Sequence, residues 1–197
     1  MKRMDLTLIL GMFFAIVLTS FAGIAAEADE LRAQVLRLHI LAHSDDDNAQ
    51  QLKYAIRDRI LAEGANVFAG EDFNAARALA LQELPQFERL AQDVIAEFGY
   101  TYTASARLVN MHFDTAFYSN AATPAGMYDA VRIVIGEGVG QNWWCVMFPP
   151  LCLPAASGDA GADVRRTLYE FGEQRYTPRF AVVEFVEGLR RGHDSQG

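Results

Sequence analysis

From Leu6 to Ala26 the chain reads LTLILGMFFAIVLTSFAGIAA, an almost uncharged apolar run behind the short positive start Met1-Lys2-Arg3. A helix that is apolar on every side has no face to turn to water, so this segment is expected to meet a membrane or the export machinery. The run ends in small residues. Ala26-Glu27-Ala28, or a cut just after Ala25 or Ala26, satisfies the small-x-small rule of signal cleavage. A length of about 20 residues also suffices to span a bilayer. Residues 1–26 are therefore expected to be a signal peptide or an uncleaved membrane anchor, and either one places the chain from about residue 29 onward outside the cytoplasm.

The remainder, 29–197, reads as one exported domain. Of the 197 residues 51% are hydrophobic, enough for one good core. The formal net charge is −8, and no dense run of Lys and Arg offers a nucleic-acid footprint. Export also changes the meaning of the two cysteines, Cys145 and Cys152. In an oxidising compartment an even pair is expected to form a disulfide, with Pro149-Pro150 bending the chain between them; two separate buried thiols are the alternative. Neither cysteine has a His or another Cys at metal-ligand spacing. No metal and no cofactor is expected.

Along the domain, Val35 to His43 reads as a strand, with Leu36, Leu38, Ile40 and Ala42 on one face and His39 on the other. Ser44 to Asn48 supplies N-capping side chains for a helix carrying Leu52, Ala55, Ile56, Ile60 and Ala62, with Gly64 as its stop. A second helix is expected from about Asp72 to Phe98, closed by Gly99. Its apolar stripe runs through Leu81, Leu84, Phe87 or Glu88, Leu90 or Ala91, Val94 and Ile95, and Pro85 should kink or divide it. Strands follow at Tyr100 to Phe113, at Ala130 to Ile135 after the Pro124-Ala125-Gly126 turn, and at Asn142 to Phe148. In the tail, Ala162 to Phe171 reads as a short helix. Phe180, Val183, Val186 and Leu189 suggest a further helix or a strand. This order implies a single α+β domain with helices packed on one face of a mostly antiparallel sheet.

Few residues invite chemistry. Gly136, Gly138 and Gly140 lack nucleotide-loop spacing and precede a strand, so a flexible hairpin connection is expected. His39 and His43, with Ser44 and Asp45 beside them, raise a metal or catalytic pair against the plainer reading of half-buried imidazoles near a strand end. Phe113-Asp114-Thr115-Ala116 resembles an aspartic-protease loop in a single copy, whereas that chemistry needs two carboxylates. Lys53, Arg57, Asp58 and Arg59 read as charges on a solvated helix face. Trp143 and Trp144 must point to opposite faces of their strand; an exposed Trp beside Pro149-Pro150 would make a binding hot spot.

Three blocks carry a family resemblance. The first is Leu36 to Asp45 (LRLHILAHSD) with Asp47, Gln51, Leu52, Lys53 and Ile56-Arg57-Asp58. Pro124 to Ala130 (PAGMYDA), running on through Arg132 to Gly136, is the second. The third and most specific is Gly138, Gly140 and Asn142 to Cys152 (NWWCVMFPPLC). Together they resemble the stage II sporulation protein R family over roughly residues 30–152, leaving 153–197 as a divergent tail. That family carries Asn more often than His at position 43, which speaks against a metal pair.

The resemblance implies a signalling protein and not an enzyme. Such proteins are exported across the forespore membrane into the space between two facing membranes, where they activate a membrane-embedded aspartic protease. That protease then cleaves a precursor sigma factor. Arg37, His39, Ser44, Asp45, Arg57, Asp58 and Asn142 are the family's polar residues here, and Trp143, Trp144, Pro149 and Pro150 are the expected contacts with the protease. The competing expectation is an exported hydrolase acting on peptidoglycan through His39, His43 and Asp45.

Overall fold

A computed structural model of the chain describes residues 3–63, 72–118 and 121–151, together with 168, 183–185 and 187–188. Helix α1 (Arg3–Arg32) carries the apolar run. Most of its large apolar side chains between Leu8 and Leu18, among them Leu8, Met12, Phe13 and Leu18, stand 52–70% exposed, as a signal or anchor segment would leave them. The C-terminal end of the same helix behaves differently. Ala28, Leu31 and Arg32 are buried, so α1 passes into the domain without an intervening loop.

The domain follows as β1 (Leu36–Leu41), α2 (Asp47–Glu63), α3 (Phe73–Glu97), β2 (Ala104–Phe113), β3 (Ala116–Phe117), β4 (Ala122–Thr123), β5 (Gly126–Ile135) and β6 (Asn142–Phe148). Four strands form a sheet in the order β2-β5-β1-β6, and β3 pairs with β4 beside it. The β2–β5 and β1–β6 pairs are antiparallel, and β1 runs parallel to β5. All six residues of β1 are buried because both of its sheet faces are covered.

Both large helices lie on one face of the sheet. Leu52, Ile56 and Ile60 of α2, with Phe87, Ala91, Val94 and Ile95 of α3, pack in one cluster with Leu36, Leu38, Ile40, Val131, Ile133 and Ile135. Each buried Leu, Ile or Phe contributes about 1.5–3 kcal/mol. The opposite face holds a second, smaller cluster of Leu31, Val35, Phe113, Tyr128, Ala130 and Val146, among others.

Local signals explain the helix limits. The Asp72 carboxylate accepts the Ala75 N–H at 2.8 Å, capping α3. At the far end the Gly99 N–H donates to the Ala96 carbonyl at 2.9 Å with φ +77°, a conformation that favours glycine. Pro85 does not divide the helix. It sits on the exposed side, where water can take the carbonyl that its missing N–H leaves unpaired. The buried stripe runs through Ala76 and Ala80, and Leu81 is 53% exposed, one position out of phase with the expected stripe.

The strands differ from expectation at their starts. Tyr100 and Tyr102 stack on one another before the ladder begins at Ala104, and β5 starts at Gly126, ahead of Ala130. The glycine loop is not a hairpin, because β6 pairs with β1 and not with β5. The loop carries the chain past the end of β1 and is pinned there. Gly140 N–H donates to the Ala42 carbonyl at 3.0 Å, and a side chain at Gly140 would collide with the Ser44 carbonyl. In the expected tail helices, 168, 183–185 and 187–188 are helical; the remaining positions lie outside the described residues.

Candidate functional site

Alternation along β1 sends Arg37 and His39 to the sheet face opposite α2 and α3. In register, Arg37 faces Ala130 of β5 and Val146 of β6, while His39 faces Arg132 and Trp144. The His39 imidazole stacks on the Trp144 indole at 3.8 Å between centroids, and Phe113 meets both rings edge-on. Trp144 remains 38% exposed. The result is an aromatic platform in which Trp144, on the edge strand β6, is open to solvent and the His39 and Phe113 rings behind it are buried.

The platform's polar groups are held neutral or internally bonded. Burial, together with the positive charges of Arg132 and Arg37, lowers the His39 pKa to about 4 despite its hydrogen bond to Asn142. At neutral pH the ring is uncharged. Its Nε2–H donates to Asn142 Oδ1 at 2.7 Å, leaving the buried Nδ1 without a hydrogen-bond partner among the described residues.

Arg37 lies deeper and is 1% exposed. It donates to Thr123 Oγ1 and Tyr118 Oη at 3.0 Å each and to the Cys145 carbonyl at 3.4 Å. Its guanidinium also lies 4.2 Å from the Phe113 centroid and 5.2 Å from that of Tyr128. Burial lowers the Arg37 pKa and raises those of Tyr118 and Tyr128. Above Arg37 opens a cleft of about 160 Å³, walled by Phe113, Trp144, His112 and residues 114–116.

The other motif residues lie elsewhere. Arg57 and Asp58 form an ion pair at 2.6 Å on α2, and the Arg57 guanidinium lies 5.4 Å from the Trp143 centroid. Trp143 thus belongs to the helix-covered face, as alternation with Trp144 requires. Ser44 hydrogen-bonds the Asp46 carboxylate, whose other oxygen accepts the Ala49 N–H at 2.9 Å and caps α2. The Ser44 hydrogen bond leads the causes that lower the Asp46 pKa.

Two sequence expectations are corrected. Lys53 is not on a solvated face: it is 1% exposed and donates to Gln50 Oε1 and to the Gln141 carbonyl, tying α2 to the loop before β6. Burial lowers its pKa. Of the expected contact residues, Pro149 and Pro150 are buried and Trp143 is half-buried, because the β6 end turns in toward the core; Trp144 is the exposed member.

His39 and His43 do not converge. His43 lies beyond the end of β1, stacks on Tyr102 at 4.1 Å and accepts the Glu137 N–H at 3.2 Å. Asp45 is exposed and lies near Lys53. Among the described residues no group of three or more His, Cys, Asp or Glu could hold a metal ion. In the protease-like loop the Asp114 side chain is 87% exposed, and Thr115 Oγ1 accepts the Ala125 N–H. Cys145 is buried and disulfide-bonded; Cys152 lies outside the described residues.

Sequence reasoning missed Phe113 as a platform member and the polar pocket of Tyr118 and Thr123 around Arg37. The spacing gave no sign of either, since Phe113 meets Trp144, and Tyr118 and Thr123 meet Arg37, only across elements far apart in sequence. It also missed a buried ion pair, Arg32 to Glu187 at 3.1 Å, which joins the end of α1 to the tail.

The comparisons agree with the blocks that build this site. The profile of the family described as stage II sporulation protein R matches residues 32–157. Stage II sporulation protein R of Bacillus subtilis (strain 168) is 40% identical over 129 residues, covering 64% of this chain. The match takes in 58% of that relative, less than two thirds of its length. No solved structure matches the chain. Arg37, His39, Trp144 and both covered faces of β1 fall inside the matched region, and the chain belongs to the stage II sporulation protein R family.

Proposed function

We propose that the chain is an exported sporulation signal that activates a membrane-embedded aspartic protease in the mother-cell membrane, so that the protease cleaves a precursor sigma factor. Its place of action is the space between the forespore and mother-cell membranes, which it reaches through the apolar segment of α1 (Thr7–Arg32). The reading rests on family membership over residues 32–157. The observation that carries it furthest is Trp144, exposed on the edge strand β6 and backed by the buried rings of His39 and Phe113. Exposed Trp is the residue type that most often anchors a protein interface.

In mechanism, the folded domain docks on the extracytoplasmic side of the protease and binds its active arrangement more tightly than its inactive one. Only such a difference in affinity can shift the protease toward activity. Arg57 and Asp58 are assigned to holding Trp143 and α2 in place, and Trp144 to contact.

The test is reconstitution in a non-sporulating bacterium that makes this chain, its cognate protease and the precursor sigma factor. Processing followed by immunoblot should require the chain and should fail when residues 2–26 are deleted. An intact precursor, with all three proteins present and the domain folded, overturns the reading.

A further inference from the structure

Arg37 is a buried charge with no counter-charge among the described residues. Arginine in a protein interior is normally matched by a carboxylate, because an unpaired buried cation carries a large desolvation cost. Here its three hydrogen-bond acceptors are a hydroxyl, a phenol and a carbonyl, and its remaining neighbours are two aromatic faces. It makes no ion pair among the described residues. A guanidinium has five N–H donors, so two are left unused by these bonds. The same guanidinium lines the cleft of about 160 Å³ whose walls include Phe113 and Trp144.

We propose that this cleft is a carboxylate-binding site, taking one acidic side chain from an extracytoplasmic segment of a protein partner. Its carboxylate completes the hydrogen bonding of Arg37, and Phe113 and Trp144 hold the aliphatic stem. The volume suits a single Asp or Glu side chain, and Arg132, facing His39 in the next strand, adds positive charge to the same sheet face. Asp114 at the cleft wall opposes an incoming carboxylate and sets a ceiling on affinity. The proposal deepens the signalling reading by giving the contact its chemistry, and it rests on that reading only for the partner's identity.

The experiment uses the full chain in lipid nanodiscs and follows the two indole N–H resonances, Trp144 being assigned by Trp143→Phe. The α-amides of N-acetylglutamate and N-acetylglutamine, which differ only in the side-chain carboxylate, and inorganic phosphate are titrated at constant ionic strength. The expected result is a saturable shift of the Trp144 resonance with the N-acetylglutamate α-amide alone, lost in Arg37→Gln. Should Arg37→Gln fail to fold, the exposed change Asp114→Asn decides, because removing the opposing charge should tighten binding about threefold. Equal responses to the two α-amides, saturation by phosphate, or unchanged affinity in Asp114→Asn overturns the proposal. Carboxylate binding without protease activation would count against the signalling reading alone.

Discussion

The His39 imidazole lies flat on the Trp144 indole, the rings 3.8 Å apart and 14° from parallel. A stack this close, with Nδ1 buried and unbonded, favours the neutral ring. Folded His39 titrates near 4, below the ordinary value of 6.5. Between those limits the unfolded chain binds more protons, so the contribution of His39 to stability is complete above pH 6.5 and is lost as pH falls toward 4. The linked loss is on the order of 3 kcal/mol. Urea unfolding at pH 7 and pH 4.5 should show a smaller difference for His39→Gln than for the unaltered protein. Equal differences would show that His39 carries no such linkage.

The two adjacent tryptophans should separate binding from stability. Trp143 packs against the main core under Arg57, so Trp143→Ala should cost about 3 kcal/mol of stability. Trp144→Ala should cost about 1 kcal/mol or less and abolish precursor processing in the reconstituted system. Full processing by folded Trp144→Ala protein would remove the platform from the interface.

Much of the fold was legible because its signals are local. The alternation in Leu36 to Leu41 and the helical spacing of Leu52, Ile56 and Ile60 depend only on near neighbours. Strand order was not legible. A glycine-rich link between two strands usually makes a hairpin, and nothing near Gly136 to Gly140 reveals that β1, some hundred residues earlier, lies between β5 and β6. Lys53 failed for the same reason: its partner is the carbonyl of Gln141, distant in sequence. Within the site, opposite directions for Trp143 and Trp144 followed from strand geometry, but which one stays exposed depends on where Arg57 and the helices lie.

That crossing loop gives a sharp backbone prediction. Gly140→Ala drives a methyl into the Ser44 carbonyl and should cost about 3 kcal/mol, the upper range of overpacking. Gly99 has φ +77° and open space around it, so Gly99→Ala should cost only the left-handed backbone preference, about 1–2 kcal/mol. Thermal unfolding of the two variants should rank them in that order.

The buried pair of Arg32 and Glu187, each 5% exposed at the side chain, ties α1 to the tail. Removing Glu187 leaves Arg32 its ion pair with the partly exposed Asp29, so Glu187→Ala should destabilise by about 2 kcal/mol, less than the loss of a buried ion's sole partner. Glu187→Gln keeps a hydrogen-bond acceptor and should lose less, about 1 kcal/mol. Denaturant midpoints of both variants test this. Equal stability of all three proteins would mean that the tail does not support the domain through this contact.

Where the apolar run of α1 ends and the helix becomes part of the domain can be read from burial. The side chains from Leu8 to Leu18 face outward, whereas Ala28 is fully buried, Leu31 is 4% exposed and Arg32 donates to the Ala125 carbonyl at 2.5 Å. Arg32 also bonds Glu187, so one side chain joins the helix end, the strand-β5 approach and the tail. A chain beginning at Glu27 keeps all of these contacts and should fold with the stability of the longer form. A chain beginning at Val35 loses the Leu31 packing and the Arg32 bonds to Ala125 and Glu187, and should be destabilised by at least about 4 kcal/mol. Urea unfolding of the two truncated domains makes the comparison. Matching midpoints would show that the last turns of α1 are a passive spacer and not part of the core.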